Sequence, residues 1–314
     1  MACKYNFLMM PLSIMLLPMF AFTQEQQAAK DTLLTNSPNN SANSNYGETQ
    51  KDLLSKDTSK IQKEQKEQKE QKQKQKQKQK HFNIQHPWSI GVASIFTPNP
   101  YKATDDNILA FPMIAYKGED LTILGPYIAY RLIGNRMFSF SVDGFLYPQK
   151  FDASKSTDPQ LQKLNDRNYM FMGGFSSRFN SAYGSLQLGL NLDLTAGTHG
   201  LMANMQYTKP FILQSDKHQL IISPGGGVQW TQNKILDYFY GISASESALS
   251  GLQEYSPGSA FSPYLSLSLM YRYNKRWGIT SVFRLNQLAS TVQDSPMVGQ
   301  SYVLTSAISF TYSF

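Results

Sequence analysis

The sequence predicts an all-β protein: a transmembrane antiparallel β-barrel of about 12 strands, with about 10 as the alternative, preceded by a low-complexity N-terminal arm. The first observation behind this is a side-chain period of two. Leu186, Leu188, Leu190, Leu192 and Leu194 alternate with Gln187, Gly189, Asn191 and Asp193, which puts the leucines on one strand face. Leu265, Leu267, Leu269, Tyr271 and Tyr273 alternate in the same way with Ser266, Ser268 and Arg272. The second is length. The alternating segments run for about 10 residues, as a tilted strand needs to cross hydrocarbon, against about 5–6 in soluble sheets. The third is the placement of aromatics. Tyr, Phe and Trp gather at segment ends, as in an interfacial girdle. The last segment shows Tyr302, Leu304, Ile308, Phe310, Tyr312 and Phe314 on one face and Thr305, Ser309, Thr311 and Ser313 on the other.

Read in order, the pattern places strands at 88–96, 108–116, 121–131, 136–146, 168–179, 183–194, 201–212, 219–230, 235–244, 260–273, 277–287 and 301–314. Tight connections fit Lys117–Asp120, Gly134-Asn135, Asn180–Ala182, Ser215–His218 and Asn274–Arg276, and long ones fall at 97–107, 146–167, 245–259 and 288–300. One element resists this scheme. With both termini periplasmic, 146–167 becomes a periplasmic connection, and such connections are short. Moving 235–244 into an outer loop repairs the C-terminal half but leaves an odd strand number.

Residues 1–23 read as a secretory signal: Lys4 supplies charge, Phe7 to Phe20 is apolar apart from Ser13, and cleavage falls after Ala21 or Thr23. The apolar run is shorter than the roughly 20 residues of a spanning helix. Residues 24–86 are rich in Gln, Lys, Ser and Asn, too poor in apolar surface to offset ordering entropy, and are expected to be a disordered periplasmic arm. Residues 87–314 form the expected barrel. Lys51 to Lys80 holds 11 Lys against 5 acids, a net of +6 out of +7 for the chain. The remainder from His81 onward is nearly neutral, so no nucleic-acid surface is expected on the folded part. Lys63, Lys66, Lys69, Lys72, Lys74, Lys76, Lys78 and Lys80 are the candidates for attachment to an anionic cell wall, the alternative being a solvated spacer.

Chemistry is sparse. The single cysteine, Cys3, belongs to the signal segment, and the histidines His81, His86, His199 and His218 lack metal-ligand spacing, so no disulfide, metal or cofactor is expected. No G-x-S-x-G element occurs. Asp193 and His199 could pair as acid and base; against this, Asp193 alternates with leucines and so faces a polar lumen, and His199 follows Gly197 in a turn. Gly225-Gly226-Gly227 is read as a kink or a close packing point, not a phosphate loop. Tyr238, Phe239 and Tyr240 are read as girdle residues before a binding face. Asn191, Asp193, Arg272, Arg284 and Asn286 are the candidate lumen-facing residues, lining either a pore or a hydrogen-bonded plug.

Several segments carry a resemblance. They are Trp88-Ser89-Ile90-Gly91-Val92, Pro98 to Asp106 (with Ala103 near the usual Gly), and Asp193 to Gly200. Asp237-Tyr238-Phe239-Tyr240-Gly241-Ile242 with Glu246 and Ala248, and Asp294-Ser295-Pro296-Met297-Val298, complete the set. Together, in this order, they resemble the MipA/OmpV family of MltA-interacting outer-membrane proteins over about 88–314. The terminal strand, with Tyr312 and Phe314, resembles the signal read by the outer-membrane assembly machinery. The resemblance implies a barrel in the outer membrane of a Gram-negative bacterium, in contact with its lipid. It also implies, for some members, bridging of a lytic transglycosylase and a peptidoglycan synthase; others are linked to adhesion, solute passage or antibiotic susceptibility. The leading expectation is a non-enzymatic scaffold for periplasmic peptidoglycan-remodelling enzymes. A small-solute channel or permeability factor is the alternative, and a barrel enzyme acting on lipid a third.

Overall fold

A computed structural model describes residues 87–314. The signal segment, the arm and the lysines of the wall-attachment reading lie outside the described residues. The strands are β1 (Trp88–Thr97), β2 (Asn107–Lys117), β3 (Leu121–Leu124), β4 (Tyr127–Gly134), β5 (Phe138–Tyr147), β6 (Met170–Ser181), β7 (Gly184–Asp193), β8 (Leu201–Thr208), β9 (Phe211–Gln214), β10 (His218–Thr231), β11 (Ala260–Tyr273), β12 (Trp277–Gln287) and β13 (Tyr302–Ser313). Every neighbouring pair is antiparallel, and β13 pairs with β1 from Ser89↔Ser313 to Phe96↔Ser306, which closes the ring. β8 and β9 both pair with β10 and are one stave broken at Lys209-Pro210, so the 13 segments make a barrel of 12 staves.

The number of staves is the expected one, reached by two compensating differences. The segment 235–244 is not a strand. It is a helix, α1 (Asn233–Tyr240), which buries Ile235, Leu236, Phe239 and Tyr240. That spacing is one helical face and cannot be one strand face, where buried residues recur at every second position. The segment 121–131 is not one strand but two, β3 and β4, folded back at Gly125-Pro126. Gly125 sits at φ +56°, a left-handed conformation glycine adopts at no steric cost. This extra reversal also removes the misfit at 146–167. All long connections now emerge at one end: 98–106, 148–169, 194–200, 232–259 and 288–301. The opposite end carries only tight turns, at 118–120, 135–137, 182–183, 215–217 and 274–276. Barrels of this class keep short turns on the periplasmic side and long loops outside, which orients the chain.

The wall is inverted relative to a soluble protein. Along β7, Gln187, Asn191 and Asp193 are buried while Leu188, Leu190 and Leu192 are exposed; Leu190 is 50% accessible and its neighbour Asn191 only 7%. β11 and β13 repeat this, with Ser266, Ser268, Thr305 and Ser309 buried and Leu265, Leu304 and Ile308 exposed. No described helix is long and apolar enough to cross a membrane. The apolar belt belongs to strands, and lipid is the medium that makes it favourable. At the turn end aromatic rings gather on the outside: Trp88 lies 4.7 Å from Tyr116, and Trp277 lies 4.6 Å from Tyr312 and 5.3 Å from Phe310. The Gly225–Gly227 run is a close packing point. A Cβ on Gly227 would fall 2.2 Å from the Met205 carbonyl oxygen and 2.5 Å from the Tyr264 hydroxyl.

A sealed barrel that keeps its strands in dodecyl sulfate runs faster unheated than boiled. The mature protein is expected to show this heat-modifiable mobility; identical migration of both samples would contradict the closed ladder.

Candidate functional site

Two regions concentrate polar chemistry: the inner wall and the mouth. On the inner wall, Asn191 donates through Nδ2 to Asp143 Oδ1 at 2.9 Å. Across the lumen Arg284 is held on three sides. Its Nε donates to Asn286 Oδ1 at 2.8 Å, its Nη2 donates to Gln229 Oε1 at 3.3 Å, and its guanidinium lies 3.6 Å from the Tyr264 ring centroid. The Tyr264 hydroxyl in turn donates to Asn204 at 2.9 Å. This is a braced network, in which planar, multidentate Arg suits several acceptors at once. Arg272 stands half-buried near the turn end of β11, opposite Gln219 and Gly278. The structure thus brings Arg284 and Asn286 together on β12 and puts Asn191 beside Asp143, but leaves Arg272 apart from both.

Asp193 closes β7 and organises the loop that follows. Its carboxylate accepts from the backbone N–H groups of Thr195 (3.0 Å), Ala196 (2.9 Å) and Thr198 (3.0 Å) and from the Thr198 hydroxyl (2.7 Å). A carboxylate so engaged has no lone pair directed at His199, which is exposed at φ +47°. The acid–base pair is therefore not formed.

The loops pack on one another at the mouth. Tyr101 from the first loop, Phe151, Leu161 and Leu164 from the second, Ile235, Leu236, Phe239 and Ile242 from the fourth, and Val292 and Met297 from the fifth form one buried cluster. Met170, Met172 and Met202 of the barrel rim join it from below. Phe151 is fully buried, with its ring 4.8 Å from that of Tyr101. The Tyr101 hydroxyl donates to the Phe239 carbonyl at 3.1 Å and accepts from Gln149 Nε2 at 2.9 Å; burial raises its pKa, so it stays a neutral donor. Ser295 donates to the Tyr240 carbonyl at 2.7 Å. Tyr238, Phe239 and Tyr240 were expected in a girdle. They lie instead on α1 in this cap, with Phe239 and Tyr240 in its core, because a helical turn projects them into the loop cluster and not outward to lipid.

One buried ion pair staples the cap. Arg167, at the end of the second loop, reaches Glu246 of α2 (Ala244–Ser250) at 2.7 Å, and both are nearly inaccessible. Arg167 also donates to the carbonyls of Asn165 (2.8 Å) and Gly241 (3.3 Å). Glu246 accepts from the Asn165 backbone N–H at 3.0 Å and from that of Ser243 at 3.0 Å. Ser243 and Glu246 form a capping box that starts α2, and Gly251, at φ +75°, ends it. Burial by itself would raise the Glu246 carboxyl. The Ser243 N–H, the Arg167 guanidinium and the Asn165 N–H outweigh it and bring it down to about 2.

A depressed carboxyl stabilises the folded cap fully above its ordinary pKa of 4.5 and loses that contribution as pH falls toward 2. Protection of the α2 amides, corrected for the intrinsic pH dependence of exchange, is therefore expected to fall between pH 4.5 and 2 while that of β13, which carries no carboxylate, does not; a parallel fall in both would contradict the assignment.

Sequence reasoning did not single out Arg167, and it named Phe239, Tyr240, Glu246 and Met297 without placing them in one loop core. The available signal was Ser243-Ala244-Ser245-Glu246, the pattern of a capping box, together with the helical spacing of Ile235, Leu236 and Phe239.

At the periplasmic end, Tyr312 pairs with Ile90 and Trp277, and the Phe314 N–H donates to the Trp88 carbonyl at 3.2 Å while its side chain stays exposed. Deleting Phe314 thus costs the folded wall little. A several-fold drop in folded barrel in cells, with unchanged refolding in detergent, is the expected result if this residue is read during assembly. Equal drops in both would make its role structural.

A closed antiparallel ring with a lipid-compatible outer face, polar residues along its inner face and loops packed over its mouth is an outer-membrane β-barrel. The comparisons with known proteins carry this further. The family model described as MltA-interacting protein MipA matches residues 90–314. The chain is 32% identical over 227 residues to the MltA-interacting protein of Escherichia coli (strain K12), covering 72% of this chain and 90% of that one. It is 25% identical over 226 residues to the putative outer membrane protein YiaT of the same strain, covering 71% and 90%. The chain belongs to the MltA-interacting protein MipA family. Among solved structures, an outer membrane channel from Pseudomonas putida F1 overlaps 73% of this chain and 96% of its own at 12% identity and a TM-score of 0.36, too loosely to argue from.

Proposed function

We propose that this chain is a non-enzymatic interaction barrel that holds periplasmic peptidoglycan-remodelling enzymes at the outer membrane. The observation that carries the reading is the 32% identity, over 90% of its length, to a protein whose name states an interaction with MltA, a lytic transglycosylase. The packed loops at the mouth support it: a barrel whose outer end is filled by a loop core is suited to presenting a surface inward. Its division into a signal (1–23), an arm (24–86) and a barrel (87–314) belongs to the same proposal. The Lys63–Lys80 tract would reach toward the anionic wall. A flexible chain of about 60 residues spans roughly 40–50 Å, and each exposed contact is weak and salt-sensitive.

The test is co-isolation from envelope extract of the full chain and of a form lacking residues 24–86. A lytic transglycosylase recovered with both places the partner site on the barrel, and recovery with the full chain alone places it on the arm. Recovery with neither contradicts the proposal. A second reading, passage of small solutes, is favoured by the polar inner wall of β6–β8 and β10–β11. Conductance decides it.

A further inference from the structure

β2 breaks the rule the rest of the wall obeys. From Ile108 to Ala115 it carries no polar side chain. Its outward residues Ile108 and Ile114 are exposed, Ile108 to 74%. Its inward residues are apolar too: Met113 is buried, and Phe111 packs on the cluster of Ile95, Val282 and Ala307 from β1, β12 and β13. A strand apolar on both faces has apolar surroundings on both sides. Elsewhere the inner face sets isolated apolar residues such as Ile221 and Met270 among polar ones, so an unbroken apolar strip is a local departure.

The backbone marks the same place. β2 pairs with β1 from Asn107 to Tyr116, but with β3 only from Ala115 to Lys117. The uppermost bond on the β3 side runs from the Gly125 N–H to the Ile114 carbonyl at 3.1 Å. Backbone groups alternate along a strand, so Ile108, Ala110 and Pro112 point their amides the same way, and none has a backbone partner there among the described residues. Pro112 brings no N–H, which is how edge strands carry proline. Among the described residues no strand continues the wall above the four-residue β3. β2 bounds the gap on one side, the Gly125-Pro126 turn lies below, and Phe145, which pairs with Tyr127, lies at the far side. Above, the first and second loops are tied by the Thr104↔Ser156 bridge and by the Thr157 N–H on the Ala103 carbonyl at 2.8 Å.

Trp88 and Tyr116 mark the periplasmic rim, so Ile108 to Pro112, at the loop end of β2, stand at the depth of the outer leaflet. We propose that this window is a lateral portal, admitting the hydrocarbon tail of an outer-leaflet amphipathic lipid to the apolar strip on the inner wall. An extended peptide would instead need an uninterrupted row of donors and acceptors, which Pro112 breaks; a tail needs only the continuous apolar lining.

The test places a photoactivatable benzoylphenylalanine at Phe111, and separately at Leu109, in the full chain in the outer membrane. Ile279 serves as the lipid-facing control and Ser268 as the polar-wall control, and heat-modifiable mobility certifies each variant as folded. Lipid adducts at Phe111 or Leu109, at yields within severalfold of Ile279 and well above Ser268, are expected. Lipid at Ile279 with none at either window position would overturn the proposal. So would a polypeptide adduct at the window, or labelling of Ser268 as strong as that of Phe111.

Discussion

Replacing Leu190 by Arg is expected to abolish most folded barrel, while Asn191→Arg one residue along is tolerated. Leu190 lies half exposed on the outer face between Phe175 of β6 and Ala203 of β8. An Arg near the bilayer midplane of a barrel costs about 2–4 kcal/mol, and each 1.4 kcal/mol is about tenfold in an equilibrium. At position 191 the side chain enters the lumen beside Asp143, whose carboxylate now accepts from Asn191. An Arg there exchanges one hydrogen bond for a charge-assisted one. The ratio of heat-modifiable to unfolded protein in outer-membrane extracts measures both variants. Equal loss, or equal tolerance, would mean that the alternation of lipid face and lumen face has been misread.

The second large effect is expected in the cap. Arg167→Ala leaves Glu246 buried, charged and without its partner, and removing one member of a buried pair costs about 3–5 kcal/mol. The barrel staves lie outside this network, so the loss should be local. Added protease is expected to nick the second and fourth loops of intact cells in Arg167→Ala, while the gel mobility of the unheated barrel is retained. Replacing both partners with apolar residues, Arg167→Met with Glu246→Leu, should restore most of the protection, because no uncompensated charge remains. Wild-type protection in Arg167→Ala would show that the apolar cluster alone holds the mouth.

The fold was legible where one physical rule governed the residues. In β7, β11 and β13 lipid lies outside and a polar lumen inside, and the period of two appears directly in the sequence. It failed where another rule ruled. Residues 235–244 are as aromatic as a strand, but their apolar positions follow the spacing of α1; the capping box at Ser243 and Glu246 announces only the next helix, α2. Residues 121–131 conceal a reversal at Gly125-Pro126, a turn dipeptide inside an apolar run. The apolar stretch of β2 reads as an ordinary strand; only the missing pairings of Ile108 to Pro112 show that it borders a gap. The pairing of Arg167 with Glu246 joins residues 79 apart in sequence, and no local pattern announces it.

Beside the relationship that carries the interaction reading, the packed loops over the mouth set it against a pore. Conductance of the purified protein in a planar bilayer tests that most directly. Insertion of folded, heat-modifiable barrel without a stable open level is the predicted result, with openings appearing in Arg167→Ala. A persistent ohmic open level in the wild-type protein would contradict it.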